Sequence, residues 1–329
     1  MKISGKKVFV TGAGGFIGSH LSEVLVEMGA EVTAMLHYNS RSDWSNLDFI
    51  PTEIKKELKV VKGDIEDSSF MDSETKNNDV ILHLAALIGI PYSYVAPLSY
   101  VRTNIQGTVN VLESVRKNDI ELMINTSTSE TYGTAIYKPI DEKHPLQGQS
   151  PYSASKIAAD KLSESYFNSF NTPVITIRPF NTFGPRQSSR AVIPTIITQL
   201  LTDHELTLGE LKATRDFTYV GDTVRGYINA IEKQKLYGEV INLGFGKTIS
   251  IFDTAKLIMK LLDKEKKINV DKKRIRPENS EVLELVSDNS KASDILNWQP
   301  ELTFNEGLIK TISFVKNNLD FYKSNLYNI

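Results

Sequence analysis

Two short stretches carry the side chains that could do chemistry. The first is Ser127-Thr128-Ser129-Glu130, which follows an apolar, strand-like run from Glu121 to Asn125. The second is Tyr152 with Lys156, spaced so that both lie on one face of a helix. Ser150 suits the N-cap of that helix and Pro151 its first turn. A phenol beside an ammonium loses its proton more easily, because the positive charge favours the phenolate. Thr128 can hydrogen-bond the same substrate oxygen, and Glu130 supplies a second base. Together the set could take a proton from a secondary alcohol while its carbon gives up hydride. Alone, a Tyr-x-x-x-Lys pair is common on solvated helix faces. An upstream dinucleotide loop changes its meaning.

That loop is Gly12-Ala13-Gly14-Gly15-Phe16-Ile17-Gly18, between a strand over Lys7 to Thr11 and a helical run over Ser19 to Met28. Gly12, Gly15 and Gly18 form a G-x-x-G-x-x-G pattern. Backbone without side chains lets a pyrophosphate reach the helix N-terminus, where Phe16 and Ile17 begin the first turn. Glu31 to Leu36 reads as a second strand. A ribose-binding acid is expected at its end, yet His37-Tyr38-Asn39-Ser40-Arg41 stands there. Two readings stay open: NADP with Arg41 on the 2′-phosphate, or NAD held through Asn39 and Ser40.

Leu58 to Lys62, the third strand, ends at Gly63-Asp64-Ile65. Asp64 can accept from an adenine amino group, with Ile65 beside it, or cap the helix that follows. Asp79 to Leu84 is the fourth strand, and Leu84, Ala85 and Ala86 at its end leave room for the cofactor ribose. Val101, Ile105, Val109, Leu112 and Val115 predict one long helix over Pro97 to Lys117, with Asn104 a buried amide inside it. Pro173 to Arg178 is a further strand. Strands alternating with helices predict an α/β fold with a doubly wound, parallel Rossmann sheet. Site groups should gather at the carboxyl ends of its strands.

Beyond Arg178 the texture changes. Pro179 to Pro185 is a rigid loop containing Asn181, and Val192 to Leu201 an apolar helix. Arg215-Asp216-Phe217 begins a return to the sheet, with Val240 to Leu243 a strand. A smaller, discontinuous α/β substrate-binding domain is expected over 181–216 and 251–329. The dinucleotide-binding domain takes 1–180 and 217–250. Arg215 and Arg276 are the anion-binding candidates, since guanidinium forks suit phosphate; ordinary ion pairing is the plain alternative. The length of 329 residues suits one large or two joined domains. A net charge of -2 argues against nucleic acid as partner. There is no cysteine, which excludes disulfides and thiolate metal sites, and no metal centre is expected. The most apolar run, Val80 to Ile90, is too short to span a membrane. A soluble, cytoplasmic protein is expected.

Thr11 to Leu21, Ser127 to Gly133, Tyr152-x-x-x-Lys156, Arg178-Pro179-Phe180-Asn181, Arg215-Asp216-Phe217 and Trp298-Gln299-Pro300 with Gly307-Leu308 together resemble the landmarks of extended short-chain dehydrogenases. The resemblance covers almost the whole chain. It implies a nucleotide-sugar substrate, a tightly held NAD or NADP regenerated each turnover, and a homodimer formed through the helices of Pro97 to Lys117 and Pro151 to Phe170. Ser129-Glu130 is similar to the pair in 4,6-dehydratases of the GDP-mannose type and in uronate decarboxylases. Pro145 to Ser155 and Phe180 to Pro194 are similar to bacterial dehydratases of N-acetylhexosamine nucleotides, including those of the legionaminic acid pathway.

The implied reaction starts with C4 oxidation by Tyr152, Thr128 and Lys156. Glu130 then removes the C5 proton. Water leaves from C6, protonated by Glu130 or through a water held by Ser129, and hydride returns to C6. A 4-epimerase, a 5,6-dehydratase and a uronate decarboxylase are the alternatives. The last would need Arg186, Arg190 or Arg276 at its carboxylate. From a different class, a non-catalytic NADP(H) sensor or scaffold would not need Thr128, Glu130, Tyr152 and Lys156 together.

Overall fold

The computed structural model describes residues 1–233 and 236–322. Residues 323–329 of the expected smaller domain lie outside the described residues. The chain runs β1 (Lys7–Thr11), α1 (Phe16–Glu27), β2 (Glu31–His37), α2 (Thr52–Glu57), β3 (Lys59–Gly63), α3 (Ser68–Glu74), β4 (Val80–His83), α4 (Ile90–Val95), α5 (Pro97–Tyr100), α6 (Gly107–Lys117), β5 (Leu122–Thr126), α7 (Pro151–Phe170) and β6 (Val174–Pro179). It continues through β7 (Asn181–Phe183), α8 (Val192–Thr202), β8 (Leu206–Leu208), β9 (Thr214–Arg215), β10 (Phe217–Tyr219), α9 (Val220–Glu232), β11 (Val240–Leu243) and β12 (Ile249–Ser250). The last elements are α10 (Ile251–Leu262), β13 (Ile268–Val270), β14 (Glu284–Leu285), α11 (Ser290–Leu296) and α12 (Phe304–Asn317).

Short apolar strands build a seven-stranded sheet in the order β11-β6-β5-β4-β1-β2-β3, and every neighbouring pair is parallel. β1 shows why both faces must be covered. Val8 and Val10 pack with Leu21 and Leu25 of α1 on one side, while Phe9 packs with Val111 and Leu112 of α6 on the other. Fully burying each such side chain contributes about 1.5–3 kcal/mol. The chain order reverses at β1 and β4, so the loops after them diverge and open a crevice.

The helix expected over Pro97 to Lys117 is interrupted. A π-helical turn, Val101–Gln106, separates α5 from α6. Asn104 lies in it, buried as expected, and its amide is taken by Leu87 and Ser155. Thr108 Oγ1 donates to the Asn104 carbonyl at 2.6 Å. Side-chain bonds of this kind compete with the regular helical ladder.

A second core joins α8, α10 and α12 through Ile196, Ile197, Ile258, Met259, Leu308 and Ile312. After Arg215 and Asp216, Phe217 to Tyr219 pairs in parallel with β7 before the chain goes back to the large sheet. The return runs through α9 to β11. Ala292, Leu296 and Trp298, placed by sequence in the smaller domain, pack in the large core. The Trp298 indole anchors that excursion by donating to the Asp222 carbonyl at 2.8 Å. Among the described residues no helix is long and apolar enough to cross a membrane.

Candidate active site

The glycine loop has the shape a pyrophosphate needs. Gly12 adopts φ +69, and a Cβ there would lie 2.8 Å from the Ala85 nitrogen. A Cβ on Gly18 would lie 2.3 Å from the Gly12 carbonyl. Neither position tolerates a side chain. α1 begins at Phe16 with Gly15 as N-cap and no side-chain cap, so the first N–H groups of Phe16, Ile17 and Gly18 remain for an anion. Thr11 Oγ1 accepts from the Leu84 and Ala85 N–H groups at 3.0 and 3.1 Å, which fixes Leu84 to Ala86 beside this loop. The cradle fits a dinucleotide.

At the ends of β2 and β3, Asp64 does not cap α3; Asp67 does, accepting from Ser69 and Phe70 N–H. Asp64 instead accepts from Glu66 N–H and stands 3.5 Å from His37. The Asn39 side chain accepts from Arg41 N–H at 2.9 Å, and Lys62 donates to the Arg41 carbonyl at 2.7 Å. Ser40 and Arg41 are exposed on this turn. Ile65 is buried against Gly107 and Asn110 of α6.

α7 opens as expected. Ser150 and Ser153 form a reciprocal capping box and Pro151 occupies the first turn. Tyr152 and Lys156 are both buried on its inner side. Thr128 caps the turn Ser129–Tyr132 by accepting from Glu130 N–H at 3.2 Å, and Ser129 is buried within that turn. Tyr152, Thr128 and Glu130 thus converge: a hydrogen bond from Thr128 and the charge of Glu130 both act on the phenol. The expected easing of the phenol is not what this environment gives. Burial pushes Tyr152 above the ordinary tyrosine value and outweighs the Thr128 bond that opposes it. Burial also lowers Lys156, against the pull of Asp160. Desolvation disfavours both charged forms.

A buried network that sequence reading missed holds the Ser127–Tyr132 turn. Asp160, one helical turn past Lys156, accepts from Ser127 Oγ at 2.6 Å and from Arg178 Nε and Nη2 at 3.0 and 2.8 Å. Arg178 Nη1 donates to the Tyr132 hydroxyl at 3.0 Å, which donates to Asn242 Oδ1 at 2.8 Å. Both ends of the Ser127–Tyr132 turn are therefore clamped. Asp160 lies at i+4 from Lys156, a spacing that gave a hint. Nothing in the sequence paired it with Arg178.

The substrate-side candidates come together, although not as free cations. Arg215 Nη2 lies 3.2 Å from Glu281 Oε1, and Arg276 Nη1 lies 3.7 Å from Glu130 and 4.0 Å from Glu281. Asn181 Oδ1 is buried with no hydrogen-bond partner among the described residues. Arg190 reaches the other side of the crevice, its Nη1 3.5 Å from where a Cβ of Gly89 would stand. The Tyr100 ring packs edge-on at 6.2 Å from that of Tyr152.

Comparisons with known proteins agree with this geometry. The family model described as GDP-mannose 4,6 dehydratase matches residues 9–311. The human dTDP-D-glucose 4,6-dehydratase is 31% identical over 97% of this chain and 92% of its own length. A UDP-N-acetyl-alpha-D-glucosaminuronate decarboxylase of Bacillus cytotoxicus is also 31% identical, over 94% of this chain and 98% of its own. The crystal structure of UDP-glucuronic acid 4-epimerase from Bacillus cereus, in complex with UDP-glucuronic acid and NAD, superposes with a TM-score of 0.86 at 30% identity, covering 94% of this chain and 99% of that one. The chain belongs to the extended short-chain dehydrogenase/reductase family, among its NAD-dependent nucleotide-sugar dehydratases, epimerases and decarboxylases.

Proposed function

We propose that the protein is a nucleotide-sugar 4,6-dehydratase acting on a UDP- or GDP-linked N-acetylhexosamine. One observation supports this reading above the rest. Glu130 follows Thr128 by two residues, is mostly buried, and its charge is felt at Tyr152. A carboxylate in that place can reach C5 of a sugar whose C4 oxygen lies between Thr128 and Tyr152.

When bound, NAD or NADP supplies a site for the hydride that leaves C4 and later returns at C6. Gly12, Gly15, Phe16, Ile17 and Gly18 would hold its pyrophosphate, with Asp64, Leu84, Ala85 and Ala86 along its length. Tyr152 takes the C4 hydroxyl proton, oriented by Thr128, with the Lys156 ammonium alongside. The resulting C4 ketone acidifies the C5 hydrogen, and Glu130 removes it as general base. The C6 hydroxyl leaves as water, taking a proton from Glu130 or from a water at Ser129, and C5 takes a proton back as C6 gains the hydride. Arg215 and Arg276 hold the diphosphate, with Asn181 on the nucleotide side.

Incubation with UDP-, GDP-, CDP- and dTDP-sugars, read by mass spectrometry, tests the reading. Loss of water is expected. Glu130→Gln should bind substrate and cofactor, show a transient reduced-nicotinamide absorbance, and fail to exchange the C5 hydrogen with deuterated solvent. Unchanged substrate mass with a new stereoisomer would replace the dehydratase by a 4-epimerase.

Arg190 favours a second reading, a uronate decarboxylase. Its charge is felt at Tyr100, which packs against Tyr152, so a guanidinium stands near the C4 base where a uronate carboxylate could be recognised. Loss of carbon dioxide from a UDP-uronate in the same panel would select it.

A further inference from the structure

Glu281 is a buried carboxylate that the reaction above does not use. It lies inside the crevice, with a side chain 13% exposed, against two guanidiniums. Arg215 is 8% exposed and donates to it at 3.2 Å. Arg276 lies 4.0 Å from the same oxygen, and its Nη1 is buried without a hydrogen-bond partner. The two arginines enter from separate segments, β9 and the turn before Glu281. The segment carrying Glu281 is tied across the crevice, because Ser280 Oγ and the Tyr94 hydroxyl of α4 lie 2.5 Å apart. Arg276 also faces Glu130 at 3.7 Å.

Two guanidiniums share one oxygen of Glu281 while Glu130 faces Arg276, so the charges balance but the hydrogen bonding is incomplete. Each fork can take two oxygens, whereas Glu281 offers Arg276 a contact beyond hydrogen-bond distance. Resting on the dehydratase reading's use of Arg215 and Arg276 for the diphosphate, we propose that Glu281 is an internal stand-in for the substrate's diphosphate and sets the site's selectivity for it. Two bridged phosphates satisfy both forks and displace the carboxylate. A single phosphate satisfies one fork and leaves the other on Glu281. Displacement also draws Arg276 towards the phosphates and away from Glu130, leaving that base free only when a diphosphate is bound.

Calorimetric titration of the full chain with UDP, GDP and dTDP, and with the matching monophosphates, tests this. In Glu281→Gln, which keeps shape and loses charge, the preferred diphosphate should bind about tenfold tighter, a change of roughly 1.4 kcal/mol. The monophosphate should gain more, so the discrimination between the two narrows. The melting temperature of Glu281→Gln should fall without nucleotide and recover with saturating diphosphate. If the glutamine variant does not fold, Glu281→Asp, which retains the charge on a shorter stem, should bind the diphosphate tighter than wild type by less than about tenfold. Unchanged or weaker diphosphate binding in both variants would overturn the proposal while leaving the dehydratase reading intact. Wild-type protein that binds no nucleoside diphosphate at all would overturn the nucleotide-sugar reading with it.

Discussion

Two arginine–carboxylate clusters lie at the candidate site and are built differently. Under the Ser127–Tyr132 turn, Asp160 accepts from Ser127, from two nitrogens of Arg178 and from Asn125 Nδ2 at 3.3 Å. Arg178 spends its remaining fork on Tyr132. The two charged side chains are 4% and 3% exposed and hydrogen-bonded to each other, while the Asn125 Oδ1 beside them is buried without a partner. In the crevice, Arg215, Arg276, Glu281 and Glu130 sit at 3.2 to 4.0 Å, and one buried guanidinium nitrogen is left without a hydrogen bond. Removing a charge from water costs free energy that only complete pairing offsets. The closed cluster has that pairing from its own chain. The open one has geometry suited to a more highly charged partner. An ion pair fully hydrogen-bonded within its own chain reads as scaffold, and one left incomplete in a cleft reads as a binding site.

Breaking the closed cluster should give the largest effect. Asp160→Ala leaves Arg178 buried and unpaired, so unfolding stability should drop by about 3–5 kcal/mol, as read by urea denaturation. A loss below 1 kcal/mol would put the two clusters in the same class. In the open cluster, Arg215→Ala should act on binding instead. The Michaelis constant for the nucleotide sugar should rise on the order of tenfold to a hundredfold, consistent with loss of a charge-assisted bond of about 1.5–3 kcal/mol, while cofactor affinity stays near wild type. A large fall in melting temperature with an unchanged Michaelis constant would move Arg215 to the scaffold.

A pH effect sharpens the closed class. His83 is sealed like Asp160, its nitrogens 2.9 and 3.1 Å from Thr11 and Thr108. Burial, aided by the Lys156 charge, pushes it down to about 3. Its folded value lies below its unfolded value of about 6.5. The unfolded chain therefore binds the extra proton first, and stability is lost as pH falls from about 6.5 towards 3. The slope contributed by this one group is at most about 1.4 kcal/mol per pH unit. His20, pushed to about 4 by burial and by Arg186, adds to the same window. His83→Asn should flatten the stability profile between pH 6.5 and 4 relative to wild type. An unaltered profile would show that the histidine does not titrate on unfolding.

The sequence by itself determined the alternation of strands and helices, the glycine loop and the two stretches around Thr128 and Tyr152. Each of these is written in residues a few positions apart. Strand pleat, helix period, capping by Ser150 and the demand for glycine at position 12 act over one or two turns of chain. It also placed Gly12, Asp64, Ala86 and Thr128 at one end of the sheet, because in a parallel sheet the carboxyl ends of the strands share one edge. Tertiary structure decided the rest. That Asp160 meets Arg178, that His83 bridges Thr11 and Thr108, and that Ala292 to Trp298 rejoin the large core depend on contacts between distant segments. So does the position of Glu281, 66 residues from Arg215, between the two guanidiniums. The direction of the Tyr152 shift follows the same division. Spacing alone shows a cation four residues away, but the burial that raises the phenol, against the Thr128 hydrogen bond, exists only once the helix is packed.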